Sequence, residues 1–301
     1  MKQLNPIGSS LYSILIYAFS ALLSTFLWVG QWKAAVIRVN LAAFHLHPYL
    51  GRAFLIRWYF SLSRNLLRYL FGWLETPIQI RPRDRGKLQT LAIRPSLLLT
   101  SHFHHWEALA SWLGKKGVPL LGSARPISSS LAQGFLDGLR RRSAVKVVSD
   151  RVLLTALNHL KAGRCFGILW DQFSRQSRHS TPLFGMSAAM DPLPEILVRR
   201  YSPVVIAGFL LPTGVLRLVQ IHPEGRSLPS SHRLSRRYHR VLEIVVRAHP
   251  TSWYGLSHAR LKDVLAYPNS RDVSRETSEP SGAFSSNVSR ETMAEKRRIN
   301  S

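Results

Sequence analysis

Residues 96–114 read SLLLTSHFHHWEALASWLG. The opening Ser96–Thr100 is an apolar run of strand length, and apolar residues recur at helical spacing once His105 is passed. A strand that opens directly into a helix is the repeating unit of α/β folds. His102 falls at the corner between the two, and Glu107 in the first turns of the helix. Five residues do not share one helical face, which takes a spacing of three or four. From a corner, however, the Glu107 carboxylate can reach back to one imidazole nitrogen and leave the other for a cleft. Such a pairing fixes the tautomer and raises the basicity of the ring. It suits a general base that activates a hydroxyl. On spacing alone the alternative is a histidine capping the helix beside a solvated glutamate.

The same alternation runs outward from this stretch. Ile78–Ile80, Val118–Leu121, Val145–Val148, Cys165–Trp170, Val204–Leu211 and Leu216–Ile221 read as strands. Ser129–Arg142, Leu153–Lys161, Asp191–Arg200 and Ser235–Ala248 read as helices. Strands alternating with helices predict an α/β domain over residues 33–267, with a central, mostly parallel sheet flanked by helices.

Toward the N-terminus no charge occurs between Lys2 and Lys33, and Ile7–Val29 supplies 23 mostly apolar residues. A bilayer-spanning helix needs ~20. Trp28 and Trp32 stand near its end, and Lys33, Arg38, Arg52, Arg57, Arg64 and Arg68 follow. That bias places the body on the cytoplasmic side. The segment is too long for a signal-peptide core, and no A-x-A site precedes the basic residues. Residues 1–32 are therefore expected to be a membrane anchor, spanning once or lying in the interface. The basic amphipathic stretch Arg52–Trp73 fits either an anionic bilayer surface or an ordinary helix with one solvated face.

The 301 residues carry a net charge of +25, of which residues 268–301 contribute +1. A body that basic implies a nucleic acid, an anionic membrane or an acidic protein as partner, unless it reflects codon bias alone. A single cysteine, Cys165, excludes a disulfide scaffold and a cysteine-based zinc site. No RNP1 run or zinc-finger pattern supports the nucleic-acid reading, and no nucleic acid is expected as partner. After Pro268 apolar residues nearly vanish, which predicts a disordered tail over 268–301. It holds a near repeat, DVSRET at 272–277 and NVSRET at 287–292. The peptide VSRET can be encoded as GTTTCACGTGAAACA, which contains a palindrome and resembles the bacterial chromosome-partition site. The tail is expected to be translated DNA signal, a reading that codons breaking the palindrome would end.

Four further stretches join SHFHHWEALASWL: ARPISSS (124–130), LKAGRCFGILWDQFS (160–174), TPLFGMSAAM (181–190) and HPTSWYGLSHARLK (249–262). In order and spacing these resemble the motifs of the bacterial late acyltransferases of lipid A biosynthesis. Those are the lauroyl/myristoyl transferases of the wider lysophospholipid acyltransferase superfamily. The resemblance covers roughly residues 5–265 and implies a glycerol-phosphate acyltransferase-like α/β fold. It implies His102 as general base, Glu107 as its orienter and Asp171 as a site aspartate. Asp171 also stands at the end of a predicted strand, where α/β sheets place functional groups; the alternative is a cap of the next turn. The resemblance further implies a substrate-binding Arg125 and an arginine of the run Arg140–Arg142, with Arg141 and Arg142 carried as candidates. Arg175 and Arg178 suit phosphate binding or a solvated loop equally. The chain departs from the pattern at His104-His105, where the family often has Gly-Asn, and at Ala124, where Tyr is expected.

The activity so implied is transfer of a fatty acyl chain from an acyl carrier protein thioester to a hydroxyl of a lipid A precursor. It would occur at the bacterial inner membrane, with the catalytic domain on the cytoplasmic side. No metal or redox cofactor is needed. Acidic carrier protein and an anionic glycolipid both suit the basic body. A lysophospholipid or other glycolipid acceptor, an acyl-CoA donor, or a degenerate member stay open on sequence alone.

Overall fold

A computed structural model describes residues 6–31, 33–46, 51–70, 78–124, 146–172, 180–226 and 233–257, with Gly134, Gly138 and Leu228 between them. The chain divides into two units, Met1–Ala266 and Tyr267–Ser301. The tail with its two VSRET copies and the expected Ser129–Arg142 helix lie outside the described residues, Gly134 and Gly138 apart.

Strands β1 (Gln79–Ile80), β2 (Ser96–Thr100), β3 (Leu120–Ser123), β4 (Lys146–Val148), β5 (Cys165–Leu169), β8 (Val204–Leu210) and β9 (Val215–His222) form one sheet in the order β1-β9-β8-β2-β5-β3-β4. Every neighbouring pair is parallel except β8 with β9. This is the mostly parallel α/β sheet that the alternation predicted. β6 (Ser180–Leu183) and β7 (Met186–Ala189) make a separate hairpin.

The central strands are apolar on both faces because helices cover both faces. Side chains alternate with period two. Leu97 and Leu99 of β2, Phe166 and Ile168 of β5, and Val205, Ala207 and Phe209 of β8 enter one core. Leu98, Cys165 and Ile206 enter the other. The first core is covered by α8 (Arg233–Ala248), which buries Leu234, Tyr238, Val241, Leu242, Val245 and Val246 at helical spacing. It also takes Ile37 and Leu41 of α2 (Ala34–Ala43) and Trp58 and Tyr59 of α3 (Arg52–Leu70). The second core is covered by α5 (Trp106–Lys115), through Ala108, Leu109 and Leu113, and by Leu91 of α4 (Arg85–Ile93). α6 (Val152–Lys161) and α7 (Leu193–Tyr201) complete the layers.

The N-terminal apolar segment is helical, α1 (Pro6–Val29), and packs along α3. Ile16, Ser20 and Ser24 are buried, whereas Leu15, Phe19, Leu22, Phe26 and Val29 form an exposed apolar stripe. No single helix among the described residues is long and apolar enough to cross a membrane. Ile14–Val29 and Ala34–Ala43 reach that length and apolarity together, bent by 83°.

Candidate active site

The site grows out of the pairing of two strands. β2 and β5 run parallel with Thr100 opposite Leu169. Two residues beyond that pair, at the C-terminal ends of both strands, stand His102 and Asp171. His102 Nδ1 and Asp171 Oδ1 are 2.7 Å apart, and the His102 backbone N–H donates to Asp171 Oδ2 at 2.8 Å. The indole N–H of Trp253 donates to the same Oδ2 at 3.1 Å. Asp171 is fully buried, while the His102 side chain keeps 16 % of its surface exposed. The carboxylate is thus committed to three donors, and the ring is turned with Nδ1 inward. The hydrogen bond at Nδ1 is made with Asp171. Strand register brings the two chain ends side by side, and Glu107 lies in the first turn of α5. Glu107 still acts on the ring through its charge.

The corner is strapped by a segment near the C-terminus. The Tyr254 N–H donates to the His102 carbonyl at 2.8 Å, and the His104 N–H donates to the Ser252 carbonyl at 2.7 Å. Phe103 and Trp253 form an isolated antiparallel bridge. The strap is itself held by Trp58, whose indole donates to the Trp253 carbonyl at 3.0 Å, and by Asn40, whose amide donates to the Leu256 carbonyl at 2.8 Å. Gly255 is required here, because a Cβ at that position would strike the Trp253 indole. On the opposite side Tyr238 OH donates to the Thr100 carbonyl at 2.6 Å.

Burial alone would lower the pKa of the His102 imidazole. The charge and hydrogen bond of Asp171, with the charge of Glu107, outweigh it and leave the pKa above the usual 6.5. The two histidines that follow behave oppositely. Burial, then the positive charges of Arg64 and Arg68, push His104 down to about 3. Burial, then His104 and Arg68, push His105 down to about 2. Both are neutral across the physiological range, and of these three histidines His102 alone has its pKa raised. His104 occupies the left-handed region (φ 45°), which is strained for a non-glycine residue. This is one of the two positions where the resembling family often has Gly-Asn.

Trp106 stands edge-on to the His102 ring at 5.2 Å between centroids. Together with Glu107 it lines an apolar pocket of about 80 Å³ at the strand ends, whose walls include Thr100, Leu120, Gly122 and Ile168. The site therefore combines a polarised imidazole with an adjoining apolar recess. Among the described residues no cluster of His, Cys, Asp or Glu suited to hold a metal ion occurs.

Of the residues singled out from the sequence, the structure joins His102 to Asp171 and sets Glu107 beside them. Arg125, Arg140, Arg141, Arg142, Arg175 and Arg178 lie outside the described residues. Trp253, Gly255 and Tyr254 escaped sequence reasoning as site residues, although the HPTSWYGLS stretch that contains them was itself a signal. Cys165 is buried on the second core, and burial pushes its thiol up to about 12. It is expected to resist alkylation by iodoacetamide in the native protein and to react once the protein is unfolded in urea. Rapid native labelling counted by mass spectrometry would contradict this packing.

Residues 83–263 match the family model described as bacterial lipid A biosynthesis acyltransferase. No curated protein matches the chain.

Proposed function

The chain belongs to the bacterial lipid A biosynthesis acyltransferase family, and from that premise we propose that it moves a fatty acyl chain from an acyl carrier protein thioester to a hydroxyl of a lipid A precursor. The observation that carries this reading is the 2.7 Å pairing of His102 Nδ1 with the buried Asp171, beside an apolar pocket. With Nδ1–H held by Asp171, Nε2 is the basic nitrogen. It takes the proton of the acceptor hydroxyl as the oxygen attacks the thioester carbonyl. The tetrahedral intermediate collapses with cleavage of the C–S bond. The imidazolium returns its proton to the departing thiolate. Asp171 balances the charge that appears on the ring at each passage, and Glu107 adds to the same field. The apolar pocket lined by Leu120, Gly122 and Ile168 accepts the first methylenes of the donor chain. Oxyanion donors are expected among Arg125 and the Arg140–Arg142 run.

Position at the inner membrane follows from the same reading. The exposed stripe Leu15, Phe19, Leu22, Phe26 and Val29 would enter the acyl region, with the basic face of α3 on the phosphates. An anionic acceptor and an acidic carrier suit the +25 chain.

The deciding assay incubates membranes containing the chain with labelled acyl carrier protein thioester and a tetra-acylated lipid A precursor. Label is expected in a penta-acylated product, with a rate that falls as salt screens the carrier encounter. Label that passes only to a lysophospholipid, or only from acyl-CoA, overturns the stated substrates. No transfer to any lipid overturns the mechanism.

A further inference from the structure

Trp106 and Glu107 also line a second cavity, of about 120 Å³, walled by Leu62, Asn65, Leu66 and Tyr69 of α3 and by Tyr254. An apolar cavity of about 150 Å³ takes up a benzene molecule, so this one has room for a short chain segment. Most of its wall is apolar. Among its lining residues, Asn65 Oδ1 and His105 Nε2 are nevertheless buried without a hydrogen-bond partner. Asn65 is 5 % exposed and His105 4 %. Buried polar atoms are nearly always paired, and each exception calls for an explanation.

The chemistry of these two atoms specifies their partner. The other end of the Asn65 amide is committed, since Nδ2 donates to Tyr254 OH and lies 3.2 Å from His104 Nδ1. Its oxygen remains as an acceptor. His105 is held neutral and offers one ring nitrogen without charge. With the ring proton on Nε2, a hydroxyl satisfies both, donating to Asn65 Oδ1 and accepting from His105 Nε2–H. In that tautomer an ammonium would leave Nε2–H without an acceptor, and a carboxylate would leave Asn65 Oδ1 without a donor. Leu66, 43 % exposed, forms the rim, so a chain whose hydroxyl lies inside continues outward over α3. His102 is not among the lining residues. The hydroxyl held here is therefore distinct from the one that His102 deprotonates.

We propose that this cavity is a recognition subsite for a hydroxylated acyl chain of the acceptor, holding a hydroxyl that does not react. The subsite rests on the acyl-transfer reading for its assignment to the acceptor and deepens it. A plain fatty donor chain lacks the hydroxyl and is directed to the pocket at the strand ends. The acceptor must then bring at least two hydroxyls, one to react and one to be read.

The test needs no donor and no turnover. The full chain in phospholipid nanodiscs is dialysed against radiolabelled methyl 3-hydroxydodecanoate or methyl dodecanoate, both uncharged. The hydroxylated ester is expected to bind about fivefold to tenfold more tightly, the worth of one net buried hydrogen bond. Asn65→Leu should erase that preference. Because Asn65 also supports Tyr254 and His104, Leu66→Trp at the exposed rim provides a second variant, expected to abolish binding of both esters. Equal binding of the two esters by the unaltered chain, as for a cavity that holds only water, overturns the proposal. So does a preference that survives in both variants. A clear preference in a chain that shows no acyl transfer leaves the cavity assignment standing and removes the transfer reading. Transfer without the preference does the reverse.

Discussion

His102→Ala is expected to lower kcat/KM for acyl transfer by about 10²–10⁴-fold, the usual worth of a positioned general base. His104 and His105 cannot take over, although they are next in the chain. Held down to about 3 and 2 by burial and neighbouring positive charge, they are too weakly basic to accept an alcohol's proton. Secondary structure should change little, because the strap fastens the corner through its backbone, although the buried Asp171 loses one of its donors. The hydroxylated-ester affinity of the α3 cavity should also persist, since His102 does not line it. Transfer within tenfold of the unaltered enzyme would remove His102 from the mechanism.

Asp171→Asn is expected to be about as damaging, and to change the pH profile in a way that mere disruption would not. Asp171 Oδ2 accepts two N–H groups, from the His102 backbone and the Trp253 indole. The asparagine oxygen must serve those two donors, which turns its NH2 toward His102 Nδ1. Nδ1 then has to accept, the ring proton moves to Nε2, and the nitrogen meant to act as base is blocked. In a serine protease triad the same substitution costs about 10⁴ in kcat. The sign of the pH effect follows from the charges. In the unaltered enzyme the imidazole pKa lies above its ordinary value, and activity needs the neutral ring. The rate should therefore fall as pH drops through that raised pKa. Without the carboxylate the raising influence is largely lost and burial dominates, so the acid limb of kcat/KM should move to lower pH. Glu107→Gln provides the contrast: it removes a charge but not the Nδ1 hydrogen bond, and should cost less than Asp171→Asn. A larger loss for Glu107→Gln would restore it as the orienter.

The parts of the fold that were legible are those where burial writes a simple pattern. β2 and β8 are apolar throughout because both sheet faces are covered, and their limits were read to within a residue. The β6–β7 hairpin was not foreseen as strands. Its residues are small and half exposed, Pro182 interrupts them, and its two-residue turn is Phe184-Gly185 in place of a typical Asn-Gly. Both turn residues have positive φ, 51° and 81°. Phe184 tolerates this because its ring is buried against Phe44 and Trp253. In the site, H-x4-E drew attention to the histidine that pairs with a buried carboxylate and to a glutamate near it. The carboxylate at Nδ1 lies 69 residues away. Its pairing with His102 becomes visible only when β2 and β5 are known to be parallel neighbours with Thr100 opposite Leu169. Strand order is a tertiary property, and no local spacing encodes it.

The strap from Ser252 to Leu256 has a consequence for biosynthesis. At a ribosomal rate of about 5–20 residues per second, it emerges on the order of ten seconds after the corner it fastens. For the latter half of that interval the nascent chain carries its histidine and aspartate but lacks the indole and the backbone partners that immobilise them. Competence is conferred late in translation. A stop codon shortly before Trp253 should yield a polypeptide with most of its sheet and no measurable turnover.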